Sequence, residues 1–199
     1  LDEVKGIAVN EEGVPTDAEL ASSVTIKIGG FVDAIEKAVA NAKDLGASSD
    51  DSIGLGVLTT IDKSNDATDE EGLAQAYSNY AAVTFDDDGV ITSCIIDASQ
   101  SNVNFTNEGK ITSDLTATLQ TKNELGDAYG MAKVSSIGKE WYQQADAFAK
   151  YAVGKTVDEV NGIALSDEGT PADAELASSV TIHVGPFMNI IEKAYNMAK

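Results

Sequence analysis

The chain has 199 residues, enough for one domain or two small ones, and its 43% hydrophobic and 23% charged residues are ordinary for a soluble protein. Its charge is not ordinary: 33 acidic residues face 13 basic ones, all of them lysine, for a net charge of −20. That balance argues against nucleic acid and anionic membrane surfaces as partners, and without Arg there is no planar fork to clamp a phosphate at two points.

In chain order, the first stretch contains "DAELASSVTI" at Asp17–Ile26. Asp17 has the chemistry of a helix or turn cap, and "SSVTI" is rich in β-branched residues, which predicts a strand. Phe31, Ile35, Ala38 and Ala42 then fall on one helical face. "KDLGASSDDS" is small, polar and acidic, as a linker is. "GLGVLTTI" and "YAAVTF" predict strands, and "DDDG" at Asp86–Gly89 predicts a tight turn into the return strand "VITSCIIDA". That strand buries Cys94, the one cysteine, so no internal disulfide and no cysteine metal cluster is expected. "NVNFTNEGKITSDL" suggests a short hairpin around Asn107–Gly109.

The stretch "LGDAYGM" places Gly126 and Gly130 where backbone can approach a flat ligand, or where a helix ends in a turn. Trp141, Ala145, Phe148 and Ala152 recur at helical spacing, and Gly154 ends that helix. In the last stretch Pro186 suits a first helical position, ahead of an apolar face of Phe187, Ile190, Ile191 and Ala194.

The two ends are related. Asp2–Lys43 aligns with Asp158–Lys199 at a constant offset of 156 without a gap, and 27 of the 42 aligned residues are identical. "DAELASSVTI" recurs unchanged at Asp173–Ile182. The simplest division is a partial module at 1–43, a linker at 44–52 and a complete module at 53–199, so that the chain begins inside a repeated unit. In a second division, residues 1–43 take the place of 158–199 against the middle segment, in the same chain or in a homodimer by segment exchange. Either way the class is α+β: a small antiparallel sheet with packed helices, and a duplicated C-terminal half-module at the N-terminus.

Candidate chemistry is sparse. His183 is the one histidine, and Lys27 holds its place in the first copy, so neither catalysis nor transition-metal ligation is expected of it. The acidic clusters at Asp86–Gly89 and Asp62–Gly72 lack the spacing of a calcium loop and read as solvated turns. In "DAELASSVTI" the hydroxyls of Ser178, Ser179 and Thr181 either face a phosphate or bond locally behind the cap Asp173. No stretch approaches the ~20 apolar residues that cross a bilayer.

The order of these parts resembles the FMN-binding domain family, found in the flavin-carrying subunits of membrane electron-transport complexes and in bacterial lipoproteins. "VTFDDDGVITSCIIDA" resembles the family's strand pair, "LGDAYGM" its glycine loop, and "VGKTVDEVNGI" its Gly-Lys turn. "DAELASSVT" falls on its flavin-attachment motif, with Ala177, Ser178 and Ser179 standing for Gly-Ala-Thr. The resemblance covers most of residues 80–199, and 1–43 matches only its last third. It implies FMN as cofactor, with Asp173, Ser178, Ser179 and Thr181 at the phosphate, Gly126 and Gly130 near the ring, and Ser23 as the equivalent acceptor in the first copy.

It further implies an extracytoplasmic, cell-surface lipoprotein whose leader is absent from this chain, serving as a flavin-based electron relay rather than a turnover enzyme. The alternative is a non-enzymatic cell-surface binding or adhesion module that has lost the flavin. No metal is expected in either case.

Overall fold

Two long strands carry the fold. β2 (Gly72–Phe85) turns through Asp86–Gly89 and returns as β3 (Ile91–Phe105), antiparallel along its whole length. Asp86 holds the turn, its Oδ1 accepting from the N–H groups of Asp88 and Val90, while Gly89 takes φ of 77°. β1 (Ser52–Thr60) pairs antiparallel with the other edge of β2, giving the order β1-β2-β3. The computed structural model describes Leu1–Ala198 and divides the chain into two compact units, Leu1–Asp44 and Leu45–Lys199.

In the second unit the sheet buries one face. Along it lie Gly54 and Gly56 of β1, Ala81, Val83 and Phe85 of β2, and Cys94, Ile96 and Ala98 of β3. Their period of two places every one on the same side. Helices α5 (Trp141–Ala152) and α8 (Gly185–Met197) cover this face, α5 against β3 and α8 against β1 and β2. Phe187 sits between the two helices, its ring 5.7 Å from Trp141 and 5.5 Å from Phe148. The two glycines of β1 set how closely α8 approaches. A Cβ on Gly54 would lie 1.9 Å from the Ala194 carbonyl oxygen, and one on Gly56 would lie 1.7 Å from that of Ile190. The helix backbone therefore rests directly on the strand.

Four short helices complete this unit or its counterpart: α4 (Lys122–Leu125), α6 (Val157–Asn161) and α7 (Ala174–Ala177) in the second unit, and α2 (Ala18–Ala21) in the first. The first unit also contains α1 (Asp2–Lys5) and α3 (Gly29–Asn41), tied to each other by a Lys5–Glu36 ion pair at 2.7 Å. Local geometry recurs at the repeat offset. Asp17 and Asp173 each cap their helix with bonds of 3.0 and 3.1 Å, and the bridge Val9–Pro15 corresponds to Leu165–Pro171.

One expected strand is not formed. "SSVTI" is irregular in both copies, and in the second its backbone donors are taken elsewhere. Val180 N–H bonds the Leu176 carbonyl, Thr181 N–H bonds the Gln144 side chain, and Val184 N–H bonds the Gly169 carbonyl. The β-branched residues serve packing instead: Val180 and Val184 are fully buried. Among the described residues, no helix is long and apolar enough to cross a membrane.

Candidate functional site

The buried face of the sheet changes character along its length. Past Gly56, Ala81 and Ile96 the same side presents Leu58 and Thr60 on β1, Asn79 and Tyr77 on β2, and Gln100 on β3. Here a cavity of about 540 Å³ opens, a size suited to a small organic ligand. Trp141, Phe187 and Met131 form apolar wall, and Thr181, His183 and Lys122 bring polar groups to it.

Lys122 is the unusual member. Its helix is started by a capping box in which Thr121 Oγ1 accepts from Glu124 N–H and Glu124 Oε2 accepts from Thr121 N–H. Asn123 ties that turn to β3 through Asp97 Oδ1 and the Ile96 carbonyl. The lysine is thereby pushed inward, leaving it 4% exposed. Its ammonium donates to the Tyr77 hydroxyl at 3.0 Å and stands 4.6, 4.7 and 4.9 Å from the ring centroids of Tyr77, Tyr129 and Trp141. Burial lowers its pKa to about 8, with the Asp97 carboxylate acting in the opposite sense. Burial likewise raises Tyr77 to about 12.

The same cavity holds an orphan. Asn79 is 2% exposed, lines the cavity, and its Oδ1 has no hydrogen-bond partner. Buried polar atoms are nearly always paired, and an unpaired one costs about 1–3 kcal/mol. On a cavity wall such an acceptor is free to take a donor from a ligand.

The opposite wall is held by two buried polar side chains of the α5 region. Glu140 accepts from the N–H groups of Met131 and Ala132 at 2.8 and 3.0 Å, fixing the loop that carries Met131. Gln144, with no exposed surface, donates from Nε2 to the Lys139 carbonyl and Ser135 Oγ. Its Oε1 receives both the N–H and the hydroxyl of Thr181. The irregular "SSVTI" segment is thus a positioned loop over the cavity.

The residues expected from sequence are distributed unevenly around this site. Thr181 lines the cavity. Asp173 caps α7, and the hydroxyls of Ser178 and Ser179 donate back to the carbonyls of Glu175 and Leu176 at 2.6 and 3.2 Å. Ser23 does the same with the Leu20 carbonyl in the first unit. Gly126 and Gly130 take φ of 52° and 79° and bracket a 3₁₀ turn. That turn supplies the Tyr129 ring that stands over Lys122. Cys94 is buried in β3, its thiol raised to about 12 by desolvation.

No protein-family model matches the chain, and no solved structure matches it. A stretch of 41 residues is 51% identical to a chlorophenol reductase from Desulfitobacterium hafniense. That stretch is 21% of this chain and 12% of the reductase, so the likeness spans a small part of that protein.

Sequence reasoning missed Lys122, Tyr77, Asn79 and Gln144. The capping-box pattern "TKNE" was readable, but nothing local marks its lysine as buried. Asn79 and Tyr77 interrupt the apolar alternation of β2, a departure that could have drawn attention to them. Among the described residues, no group of three or more His, Cys, Asp or Glu could hold a metal ion.

Proposed function

We propose that the second unit holds a flat, anionic small molecule in this cavity, that the molecule is FMN, and that the chain serves as a flavin-carrying electron relay outside the cytoplasm. The observation that carries the binding reading is that Lys122 and Asn79 line the same cavity. A chain of net charge −20 keeps a buried ammonium among three aromatic rings there, and the cavity is also lined by an acceptor with no partner.

These residues fit a flavin. Asn79 Oδ1 would take the ring N–H, Lys122 would face a ring carbonyl or the phosphate, and Trp141 and Phe187 would exclude water from the ring faces. Thr181, already oriented by Gln144, is the motif hydroxyl on the cavity and would meet the phosphate end. The bound flavin would supply one- and two-electron transfer. This chain supplies binding, orientation and a low-dielectric wall. The choice of FMN, and the extracytoplasmic setting, rest on the resemblance of residues 80–199 to the FMN-binding domain family.

A second reading, a binding module without flavin, is favoured by Ser178 and Ser179. Their hydroxyls bond their own turn rather than line the cavity, so the serine at the motif's acceptor place is not presented to a ligand.

Titrating the purified chain with FMN, followed by flavin fluorescence and intact mass, separates these readings. Binding at micromolar FMN that is lost in Lys122→Met supports the first. No binding, or binding indifferent to Lys122, overturns it, and an FMN-sized mass increment would show covalent attachment.

A further inference from the structure

Helix α3 of the first unit carries an apolar face that its own unit leaves open. Phe31 is 57% exposed, Ile35 43% and Val39 53%. A unit of this size cannot afford such a face in water without something to cover it. The repeat shows what that cover is. Phe31, Ile35 and Ala38 correspond to Phe187, Ile191 and Ala194 at the constant offset, identical in type. In the second unit those three are 2%, 0% and 0% exposed, lying against β1 and β2.

The correspondence extends to the approach. Ahead of both helices run the same aspartate cap, the same bridge and the same closing bond, Ile28 N–H to Gly13 and Val184 N–H to Gly169, each 3.1 Å. What seats α8 on Gly54 and Gly56 is its own backbone at Ile190 and Ala194, which α3 reproduces at Ala34 and Ala38. Lys193 donates to the Val57 carbonyl of β1 at 3.0 Å, and Lys37 holds the same place on α3.

We infer that the first unit docks on a second three-stranded antiparallel sheet, one whose edge strand carries Gly-x-Gly as β1 does and which has no covering helix of its own. The sheet of a second copy of this chain is a poor occupant. It is already covered by α8, which is bulkier than α3 at positions that include Met188 for Val32, Ile190 for Ala34 and Tyr195 for Val39. Exchange would reduce the apolar area buried. Each copy also brings two such helices and one sheet, so association of copies always leaves a face over. A sheet docked on the first unit would have Lys27 where this one has His183, adding a cation to the equivalent cavity wall.

The test is a chain in which residues 45–157 are repeated ahead of Asp2. The new Val157–Asp2 junction then reproduces the natural Val157–Asp158. The added strands are expected to fold, gaining hydrogen-exchange protection like that of β1 to β3. Phe31→Asp with Ile35→Asp should abolish that protection and leave the original sheet protected. Added strands that stay unprotected, or that keep their protection in the double variant, overturn the inference. So does a dimer of the unextended chain that Phe31→Asp dissociates, because the face would then belong to a second copy.

Discussion

The backbone N–H and the hydroxyl of Thr181 converge on a single oxygen, Gln144 Oε1, at 2.8 and 3.2 Å. Gln144 comes from helix α5 and has no exposed surface, so a buried amide, not a strand ladder, fixes the loop over the cavity. Gln144→Leu keeps the volume but strands the Thr181 N–H and the Lys139 carbonyl. A loss of roughly 2–3 kcal/mol is expected in urea denaturation, with weaker ligand binding beyond what stability explains.

Gly56→Ala drives a methyl into the Ile190 carbonyl, where only 1.7 Å is available, and backbone cannot move aside as a side-chain tip can. Such overpacking costs about 1–3 kcal/mol or more, and α8 should lift from β1. Gly30→Ala in the first turn of α3 is the control: an added Cβ there meets nothing within 4 Å, and stability should be unchanged or up to about 1 kcal/mol higher. Thermal melts of the two variants check the contrast.

Lys122 makes stability depend on pH in a defined direction. Its pKa falls from 10.5 to about 8 on folding because burial penalises the charged form. Below pH 8 the amine is protonated in both states and that penalty is fully present. Between pH 8 and 10.5 the unfolded chain binds the extra proton, so the Lys122 contribution to stability rises with pH. Relative to Lys122→Met, the natural chain should gain up to about 3 kcal/mol across that window, less what the three rings return to the charged form. Denaturation midpoints of both chains at pH 7.5 and 10 measure it, and parallel curves would refute it.

Asn79→Leu separates a ligand site from a structural one. Removing an unpaired buried acceptor should stabilise the chain by about 1 kcal/mol, since a desolvation cost disappears and the volume is kept. The same change should weaken FMN binding at least tenfold, about 1.4 kcal/mol. A variant that is destabilised and binds normally would show that Asn79 serves packing.

Much of the fold was legible because it is locally encoded. The alternation in "GLGVLTTI" and "VITSCIIDA", the "DDDG" turn and the Trp141–Ala152 helix each follow from periodicity or turn chemistry within a few residues. "SSVTI" misled because β propensity measures fit to a pleated partner, and here the backbone found a helix end and a glutamine instead. The cavity was the least legible part. Tyr77, Lys122 and Trp141 are far apart in sequence, and a lysine reads as solvated until its surroundings are known.

By itself, then, the sequence determined the sheet's three strands, the long helices, the acidic balance and the repeat at its two ends, because each depends on neighbours in the chain or on a count of residues. Only the tertiary structure decided that Lys122 sits among three rings, that Asn79 is left unpaired, and that Thr181 rather than Ser179 lines the cavity. It also gave the repeat two fates, with Phe187 buried under a sheet and Phe31 exposed. Burial belongs to the surroundings of a residue, and identical residues in different surroundings are different chemistry.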